Sequence, residues 1–438
     1  MQRSMWLRRS ALVAVLAMTA AACGGGDGTT DPTESEPMGT ETASEPTATE
    51  SAEPVEVTGR GDGTLTLARV LPESGFLDYL GGPMIGGVAL AIQDINDAGG
   101  VLGNDVELLE FDSGTDPTVA TPNFRSALAE GADAIIGAAA SGVTKAVLPT
   151  LYANDIPNCS PSATSGDFDT LESAQLFFRT VPPDQYVAPI IANEIIEDGN
   201  SGSIAIVQLQ DPYGDFIAGE VTTALQDQGV EVALTEKYPP ENPDFETIAN
   251  NVEAANPTAI LVVGFREASG LIKQLVETKG FDPNIMYGAD GVFSSQLAEL
   301  SGVSLDGMKL IGAAGSNDFN ERLAEFGVSD FLYGGQSYDC TILLALWAVA
   351  SGTDDTSQWD PQVLLDLTQG GEVCTTFADC VALIEADEDV DYDGAAGGLA
   401  LRGVDGGTLG QPTQASYAVA QFQDGELVSI SSVPVDVS

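Results

Sequence analysis

Residues 90–117 read LAIQDINDAGGVLGNDVELLEFDSGTDP and place the end of a helix, a double glycine, a strand and an acidic loop in close succession. Just before and within this stretch, apolar residues recur with the spacing of one helix face: Met84, Val88, Ala91, Ile92 and Ile95. Pro83 predicts the first helical position, and Gly99-Gly100 predicts the end of the helix. The β-rich run 106–111 then predicts a strand whose carboxyl end leads into the loop 112–117. In open α/β sheets ligands lie outside such strand ends, so the segment is typical of a ligand-binding lobe.

The same alternation of strands and helices continues along the chain in two runs, separated near Val181-Pro182-Pro183. The first run has predicted strands at 133–137 and 156–160 with a helix from about 142 to 153. The second run has predicted strands at 203–208, 230–238, 259–263 and 285–289, with helices at 216–228, 248–255 and 269–279. Strands that alternate with helices of this length predict parallel sheets with right-handed crossovers. Two runs of about 120 residues therefore predict two similar lobes.

The last third of the chain is predicted to contribute further strands and one helix to the two lobes formed by the preceding residues. It predicts a strand at 308–313, a strongly apolar helix at 338–350, and a hairpin of 417–422 with 427–430. Asp424-Gly425 is the hairpin signal between these last two strands. At 438 residues with 43% hydrophobic content, the chain has enough apolar surface for two or three domains' worth of core.

The charge and the missing histidine exclude several function classes. The chain has 15 Lys and Arg against 66 Asp and Glu, a formal net charge of −51. Nucleic acids and anionic membrane surfaces need clustered cations, so neither is an expected partner. No histidine is present, which removes Ser-His-Asp and Cys-His catalysis and histidine metal ligands. We therefore expect no enzyme, no metal and no cofactor.

The N-terminus predicts export and anchoring. Arg3, Arg8 and Arg9 precede an apolar stretch, 11–22, that is too short to span a membrane, so residues 1–22 are predicted as a signal peptide. Cys23 follows three alanines and resembles the lipidated cysteine of a bacterial lipobox, although Ala20 stands where leucine is usual. The alternative is an ordinary cleaved signal peptide in which this cysteine is incidental. Residues 23–61 are rich in Gly, Ser, Thr, Pro and Glu, which predicts a disordered tether.

The remaining four cysteines suit an exported protein. Cys374 and Cys380 enclose only five residues, and we predict that they form a disulfide. Closing so small a loop stabilises by about 2 kcal/mol in the chain-entropy model. Cys159 and Cys340 lie in apolar contexts, so a second disulfide and two buried free thiols both remain open.

The run that ends in Asp-Ile-Asn and continues Gly-Gly-x-x-Gly resembles the solute-binding proteins of branched-chain amino acid ABC transporters, over residues 64–433 or so. The resemblance implies the type I periplasmic-binding fold: two Rossmann-like lobes joined by a hinge that the chain crosses three times. It places residues 62–183 and 313–410 in the N-terminal lobe, and 184–312 and 411–438 in the C-terminal lobe. It further implies a monomeric clamp that captures a small polar solute, most naturally a branched-chain or related amino acid, and docks on ABC permease subunits. A receptor with the same fold that signals to a membrane partner is the alternative.

The resemblance also implies ligand-binding positions. Ser141, in the loop after strand 133–137, and the run Ser162-Ala163-Thr164 after the next strand match the family's carboxylate-binding loops. Each of these hydroxyls on its own also suits a helix N-cap. Tyr213, in Asp-Pro-Tyr-Gly, matches a tyrosine that contacts the ligand. Asp290 matches the acid that pairs with the ligand ammonium, although its Gly-Ala-Asp-Gly context also suits an ordinary turn.

Three further positions complete the implied pocket. Phe265 stands where the family often has an aromatic residue, beside the unusual charges Arg266 and Glu267. Leu80 stands where the amino acid binders often carry an aromatic side chain, and Tyr338 is a further candidate for the wall. The segment 389–400 begins like an EF-hand, but its twelfth position is an alanine instead of the bidentate glutamate, so we predict a structural loop and strand there.

Overall fold

The computed structural model describes residues 55, 57–241, 243–313, 317–328 and 330–437. The predicted signal peptide 1–22, the lipidation of Cys23 and most of the predicted tether lie outside the described residues. The end of that tether is described and differs from the prediction of disorder. Val57 packs against the core, the Thr58 hydroxyl donates to the Ala129 carbonyl, and the Arg60 guanidinium donates to main-chain carbonyls at residues 154 and 155. Residues 57–60 are thus held by packing and hydrogen bonds, which the amino-acid composition of this segment does not indicate.

The first sheet contains five strands: β1 Thr66–Leu71, β2 Glu107–Asp112, β3 Ala134–Gly137, β4 Asn158–Ser160 and β5 Phe177–Arg179. They are parallel throughout and lie in the order β2-β1-β3-β4-β5. Strands β3 and β4 are wholly buried, as expected for the centre of a sheet covered by helices on both faces.

The second sheet contains seven strands: β6 Ile204–Leu209, β7 Val232–Tyr238, β8 Ala259–Val263, β9 Met286–Gly288, β10 Lys309–Ala313, β16 Gln414–Gln423 and β17 Glu426–Asp436. Their order is β17-β16-β10-β9-β8-β6-β7. Strands β6 to β10 are parallel, whereas the hairpin β16–β17 joins β10 in antiparallel fashion. The predicted hairpin around Asp424-Gly425 is thus confirmed.

Short strands form two small sheets in the tail of the chain: β11 Glu372–Cys374, β12 Val390–Gly394 and β13 Gly397–Gly398 in one, and β14 Leu401–Arg402 with β15 Gln411–Pro412 in the other. The structural role predicted for 389–400 agrees with this arrangement. The Asp339 carboxylate accepts hydrogen bonds from the Tyr392 hydroxyl and from the Ala395 and Ala396 amides, which tie this loop to a long buried helix.

The helices surround both sheets: α1 Asp78–Asp97, α2 Pro117–Ala129, α3 Ser141–Ala153, α4 Asp184–Glu197, α5 Pro212–Asp227, α6 Phe245–Ala255, α7 Ala268–Lys273, α8 Leu297–Ser301, α9 Asn317–Ala324, α10 Gly334–Ser351, α11 Pro361–Asp366 and α12 Phe377–Glu385. Helix α7 continues as one π-helical turn, Gln274–Thr278. Helix α10 is buried on nearly every side and packs on α1. Within the described residues no helix combines the length and the apolar composition needed to cross a bilayer.

The prediction that Pro83 begins the first helix is wrong. Helix α1 begins at Asp78, so Pro83 lies inside it and leaves the carbonyl of residue 79 without its usual amide partner. The additional turn buries Leu80, which is 1% exposed, and Gly81 lies so close to the Pro72 carbonyl that a Cβ atom would overlap it. Tertiary packing of this turn therefore outweighs the local cost of the proline.

The chain passes between the two sheets three times. The first passage runs from β5 to α4, the second from β10 to α10, and the third from β15 to β16. Two disulfides are present. Cys374–Cys380 confirms the predicted pair, and Cys159–Cys340 resolves the open alternative by linking β4 to α10 across 181 residues of sequence. The second bond thus fastens the returning tail to the sheet formed by the start of the chain.

Candidate functional site

The loops at the carboxyl ends of both sheets meet around one small buried cavity. From the first lobe come the segments after β3 and β4 and the first turn of α1; from the second lobe come the segments after β6, β8 and β9. The cavity measures about 20 Å³, roughly the room needed by one water molecule. It is lined by Leu77, Leu80, Met84, Ala139, Ala140, Ser141, Ser162, Tyr213, Phe265, Asp290, Gly291 and Tyr333.

Asp290 is the charged residue of this lining, and its carboxylate is fully hydrogen-bonded. The Tyr213 hydroxyl donates to Oδ1 at 2.6 Å, the Gly291 amide donates to the same oxygen at 2.9 Å, and the Tyr333 hydroxyl donates to Oδ2. Burial raises the pKa of Asp290, and the hydrogen bonds from Tyr213 and Tyr333 oppose that rise. The three donors therefore favour a charged carboxylate in an otherwise apolar setting.

Asp184, the first residue of α4, is a second buried carboxyl group with a contrasting environment. It is 1% exposed, and neither of its oxygens receives a hydrogen bond of good geometry from the described residues. Burial raises its pKa well above the usual range and the nearby Asp290 raises it further, while the adjacent Thr164 hydroxyl and Arg179 act in the opposite direction. A buried carboxyl group whose oxygens accept no well-aligned hydrogen bond favours its neutral form.

Two of the predicted hydroxyls reach the cavity from the first lobe. Ser141 is the first residue of α3, and its hydroxyl accepts a hydrogen bond from the Ser165 amide at 3.2 Å. The Ser162 hydroxyl donates to the Ala139 carbonyl at 3.0 Å. No side chain caps α3, whose N-terminal end forms part of the cavity wall, so its first amides are available to an anion.

Ala163, Thr164 and Tyr338 do not line the cavity. Ala163 belongs to a small apolar cluster with Phe168 and Phe177, and the buried Thr164 hydroxyl lies beside Asp184 without a hydrogen bond of good geometry. The Tyr338 hydroxyl donates to Asp94 at 2.6 Å, on the side of α10 that faces α1. Tyr333, five residues earlier, occupies the wall instead, held by a backbone with φ of +66° just before α10.

The rest of the wall is apolar. Leu80 lines the cavity, as predicted, together with Leu77 and Met84 from the same part of the chain. The rings of Tyr213 and Phe265 stack with centroids 5.5 Å apart and planes 13° from parallel. This side of the cavity suits a branched aliphatic or an aromatic group.

Contacts between the lobes surround the cavity. The Arg266 guanidinium pairs with the Asp78 carboxylate at 2.5 Å, and the Arg266 amide donates to the Phe76 carbonyl at 3.1 Å. The Tyr79 hydroxyl donates to the Gly291 carbonyl. On another part of the interface, the ring of Phe216 on α5 packs directly against Gly166. The described arrangement is therefore a closed cleft.

The family model for periplasmic binding proteins matches residues 64–345 of this chain. The chain belongs to the periplasmic binding protein family. Membership of a family of binding proteins confirms the predicted resemblance, the two-lobed type I fold and the expectation that the chain is not an enzyme. Among the described residues, no three acidic or cysteine side chains are placed to hold a metal ion.

Two similar curated proteins are named for amino acids. A leucine-, isoleucine-, valine-, threonine- and alanine-binding protein of Pseudomonas aeruginosa is 27% identical over 245 residues, which are 56% of this chain and 65% of the relative. A Leu/Ile/Val-binding protein homolog of Brucella melitensis is 26% identical over 294 residues, 66% of this chain and 79% of the relative. The chain thus spans slightly less than two thirds of the first relative's length.

Solved structures support the fold. The isoleucine complex of a branched-chain amino acid transporter substrate-binding protein from Streptococcus pneumoniae superposes with a TM-score of 0.68 at 18% identity, covering 85% of this chain and 99% of that one. A solute-binding protein from R. palustris in complex with benzoate gives a TM-score of 0.65 at 18% identity, covering 86% and 98%. Members of the same fold thus hold chemically different ligands.

In this periplasmic binding protein, the sequence did not predict Tyr333 in the cavity wall or Asp184, which lies outside the lining and interacts electrostatically with Asp290. The other lining residues that were not predicted are Leu77, Met84, Ala139, Ala140 and Gly291. Asp184 directly follows Pro182-Pro183, where the first run of elements is predicted to end. An acidic residue at this crossing between the lobes is the sequence feature that could have indicated a role near the cleft. Tyr333 had no comparable signal, because it precedes the apolar helix and reaches the cavity through its unusual backbone conformation. The predicted wall residue Tyr338 is only five positions further along the chain, but its side chain contacts Asp94 and does not line the cavity.

Proposed function

We propose that this protein captures a branched-chain or related amino acid between its two lobes and delivers it to the permease of an ABC importer. The observation that carries the proposal is the buried carboxylate of Asp290, placed in an apolar cavity whose opposite wall includes the uncapped N-terminus of α3. A carboxylate in a desolvated site binds an ammonium group strongly, and a helix N-terminus binds a carboxylate. The names of the curated relatives support the same class of ligand.

The proposed binding sequence uses both lobes. The first lobe captures the α-carboxylate with Ser141, Ser162 and the free amides of α3, with Ala163 and Thr164 supporting that loop. Closure then brings Tyr213 and Asp290 onto the ammonium group. The ligand side chain lies against Leu80 and Phe265. Because a cavity of about 20 Å³ is too small for any amino acid, ligand entry requires the lobes to separate and the tyrosine hydroxyls to move off Asp290. The ligand favours closure by its higher affinity for the closed form.

Benzoate, which a fold neighbour binds, suits this cavity poorly. Benzoate carries a negative charge and no cation. Its ring would remove water from the Asp290 carboxylate and supply no positive charge or hydrogen-bond donor in return, which is unfavourable. The cavity lining contains no lysine or arginine to offset a second negative charge.

The anchoring of the protein is part of the proposal. Residues 1–22 direct export, Cys23 is lipidated at the outer face of the cell membrane, and the tether that precedes Val55 lets a monomeric body reach the permease. The family works outside the cytoplasm, and two disulfides agree with an oxidising compartment. We retain residues 62–183 with 313–410 and 184–312 with 411–438 as the two lobes, a division that the two large sheets support to within two residues, since Ala313 ends β10 and the third passage follows Pro412.

A thermal-shift and calorimetric screen tests the ligand class. Leucine, isoleucine, valine, glutamate and benzoate are each titrated into the wild-type protein. A ligand at 100 times its Kd stabilises by about 2.7 kcal/mol, so a branched-chain amino acid is expected to raise the melting temperature measurably. Benzoate raising it while no amino acid does would contradict the proposal.

Two variants test the assigned role of Asp290. Asp290→Asn is expected to weaken leucine binding by tenfold or more, because it removes a charge-assisted hydrogen bond worth about 1.5–3 kcal/mol. Asp133→Asn is the matched control: Asp133 is also a buried carboxyl group, but it precedes β3 at the edge of the sheet opposite the cavity. Equal affinities of the two variants would remove Asp290 from the ammonium site.

A further inference from the structure

Two buried carboxyl groups lie close enough to interact electrostatically, Asp290 in the cavity lining and Asp184 outside it, and their hydrogen bonding differs. Asp290 accepts from two tyrosine hydroxyls and one amide, whereas Asp184 receives no hydrogen bond of good geometry. Each raises the cost of ionising the other, since two carboxylates close together in a low-dielectric site repel strongly. Of the two, Asp184 is therefore the group that keeps a proton.

The surroundings supply no spare positive charge. Arg179 on β5 is the cation that faces Asp184, but its guanidinium is itself fully buried and pairs with Asp169 at 3.2 Å. The same guanidinium also donates to the Ala163 and Ser165 carbonyls and to the Gln411 side chain. Its charge is thus already balanced by Asp169.

The other titratable groups that face the pair are acidic or neutral. Asp211, before α5, adds to the negative potential, and burial raises its pKa to about 7. The remaining groups are tyrosine hydroxyls from α1, from α5, from the segment before α10 and from β16: Tyr79, Tyr213, Tyr333 and Tyr417. Burial raises the pKa of each well above its usual value, so these hydroxyls stay neutral near pH 7. The Asp184–Asp290 pair therefore has no counter-charge of its own.

We propose that this pair holds one proton, on Asp184, while no cation occupies the cleft, and that the ammonium group of an amine ligand replaces that proton. This inference rests on the proposed function. In the exchange the Asp184 O–H bond breaks and the proton leaves to solvent. The ammonium group enters with its own protons intact, so the net charge of the buried cluster is the same before and after. The one bound cation then offsets the charge of the coupled carboxylate pair.

The exchange makes affinity depend on pH and selects the ligand by charge. Since binding releases a proton, the Kd falls as pH rises, by up to tenfold per pH unit below the pKa of Asp184, and levels off above it. A solute with a protonated primary amine meets this requirement. A neutral or anionic analogue of the same shape leaves the proton in place and gains no ionic contact.

Calorimetry in two buffers measures the exchange. Leucine is titrated into the wild-type protein at pH 7 in phosphate and in Tris, whose ionisation enthalpies differ, and the difference in heat gives the number of protons released. We expect up to about one proton per leucine for wild type and almost none for Asp184→Asn. Asp133→Asn, which changes a buried carboxyl group remote from the cleft, is expected to match wild type. Wild type that binds leucine without releasing protons between pH 6 and pH 8 overturns the exchange, as does equal release by Asp184→Asn.

A ligand-free measurement separates this inference from the choice of ligand. If wild type binds no leucine, the proposed amino acid function fails, and the proton is sought directly by infrared difference spectroscopy of the free protein at pH 7. Because the pKa of Asp133 is itself raised to about 7, Asp133→Asn is expected to lose a signal of its own. A protonated-carboxyl band that is present in wild type, reduced in Asp184→Asn and distinct from any band lost in Asp133→Asn supports the proton on Asp184. Superimposable spectra of wild type and Asp184→Asn refute it.

Discussion

The ion pair between Arg266 and Asp78 joins the two lobes beside the cleft, and we predict that it sets how firmly the closed form is held. The guanidinium and the carboxylate are 2.5 Å apart, and the side chains are 42% and 30% exposed. A pair this accessible contributes about 0.2–1 kcal/mol. Arg266→Met keeps the apolar stem and leaves the 3.1 Å hydrogen bond from the main-chain amide to the Phe76 carbonyl in place. Removing the ion pair alone should therefore weaken leucine binding by about 1.4- to 5-fold.

A double-mutant cycle separates the pair from other effects of each change. Asp78 is also the first residue of α1, so Asp78→Asn removes a favourable charge from a helix N-terminus as well. The cycle of Arg266→Met, Asp78→Asn and the double variant is measured by calorimetry at 20 mM and 500 mM salt. The coupling energy should be positive at low salt and shrink at high salt.

Lys273→Met is the matched control, since it changes the net charge equally and Lys273 pairs with Glu277 inside its own lobe. Additive effects of Arg266→Met and Asp78→Asn, or an equal loss of affinity in Lys273→Met, would refute the role of the pair in closure.

Three further predictions concern closure and stability. Gly166→Ala places a Cβ atom into the ring of Phe216 and should weaken leucine binding several-fold, whereas adding Phe216→Ala should restore it; a double variant as weak as the single one would count against steric closure. Replacing Cys159 and Cys340 by serine should cost about 5 kcal/mol in urea unfolding, because that disulfide closes a loop of 181 residues; a loss below 1 kcal/mol would contradict the estimate. Burial raises the pKa of Asp133 to about 7, so the folded state binds more protons than the unfolded state between about pH 4 and pH 7. Wild type should therefore lose about 4 kcal/mol relative to Asp133→Asn as pH rises through that window, and parallel stability curves would disprove the shift.

The sequence predicted the strands of the large sheets well where burial is continuous. The predicted strand 259–263 matches β8, and the hairpin around Asp424-Gly425 matches β16–β17, because an uninterrupted apolar run and a turn dipeptide are local signals. The start of α1 at Asp78 could not be found in the same way. It depends on burying Leu80 and on the close approach of Gly81 to Pro72, which are contacts between segments.

In the candidate site too, some residues could be predicted from local sequence signals and others depend on contacts between distant segments. Ser141, Ser162, Tyr213, Phe265 and Asp290 each follow a predicted strand, and parallel strands bring their carboxyl ends to one edge, so sequence order was enough to gather them. Tyr333 and Asp184 sit at passages between lobes, where no periodic pattern indicates which side chain points inward. For this reason the sequence predicted Tyr338 as a wall residue, whereas Tyr333 lines the cavity.

By itself the sequence determined the two α/β lobes, the family and most loops that surround the cleft, since these follow from local periodicity and from strand order. The tertiary structure alone decided the pairing of Cys159 with Cys340 and the contact of Arg266 with Asp78. It also decided that the Asp290 carboxylate accepts three hydrogen bonds whereas the carboxyl oxygens of Asp184 accept none of good geometry. The physical reason is that hydrogen bonding and desolvation depend on atoms brought together from segments far apart in the chain. The charge state of Asp184 and Asp290 is thus a property of the closed cleft as a whole.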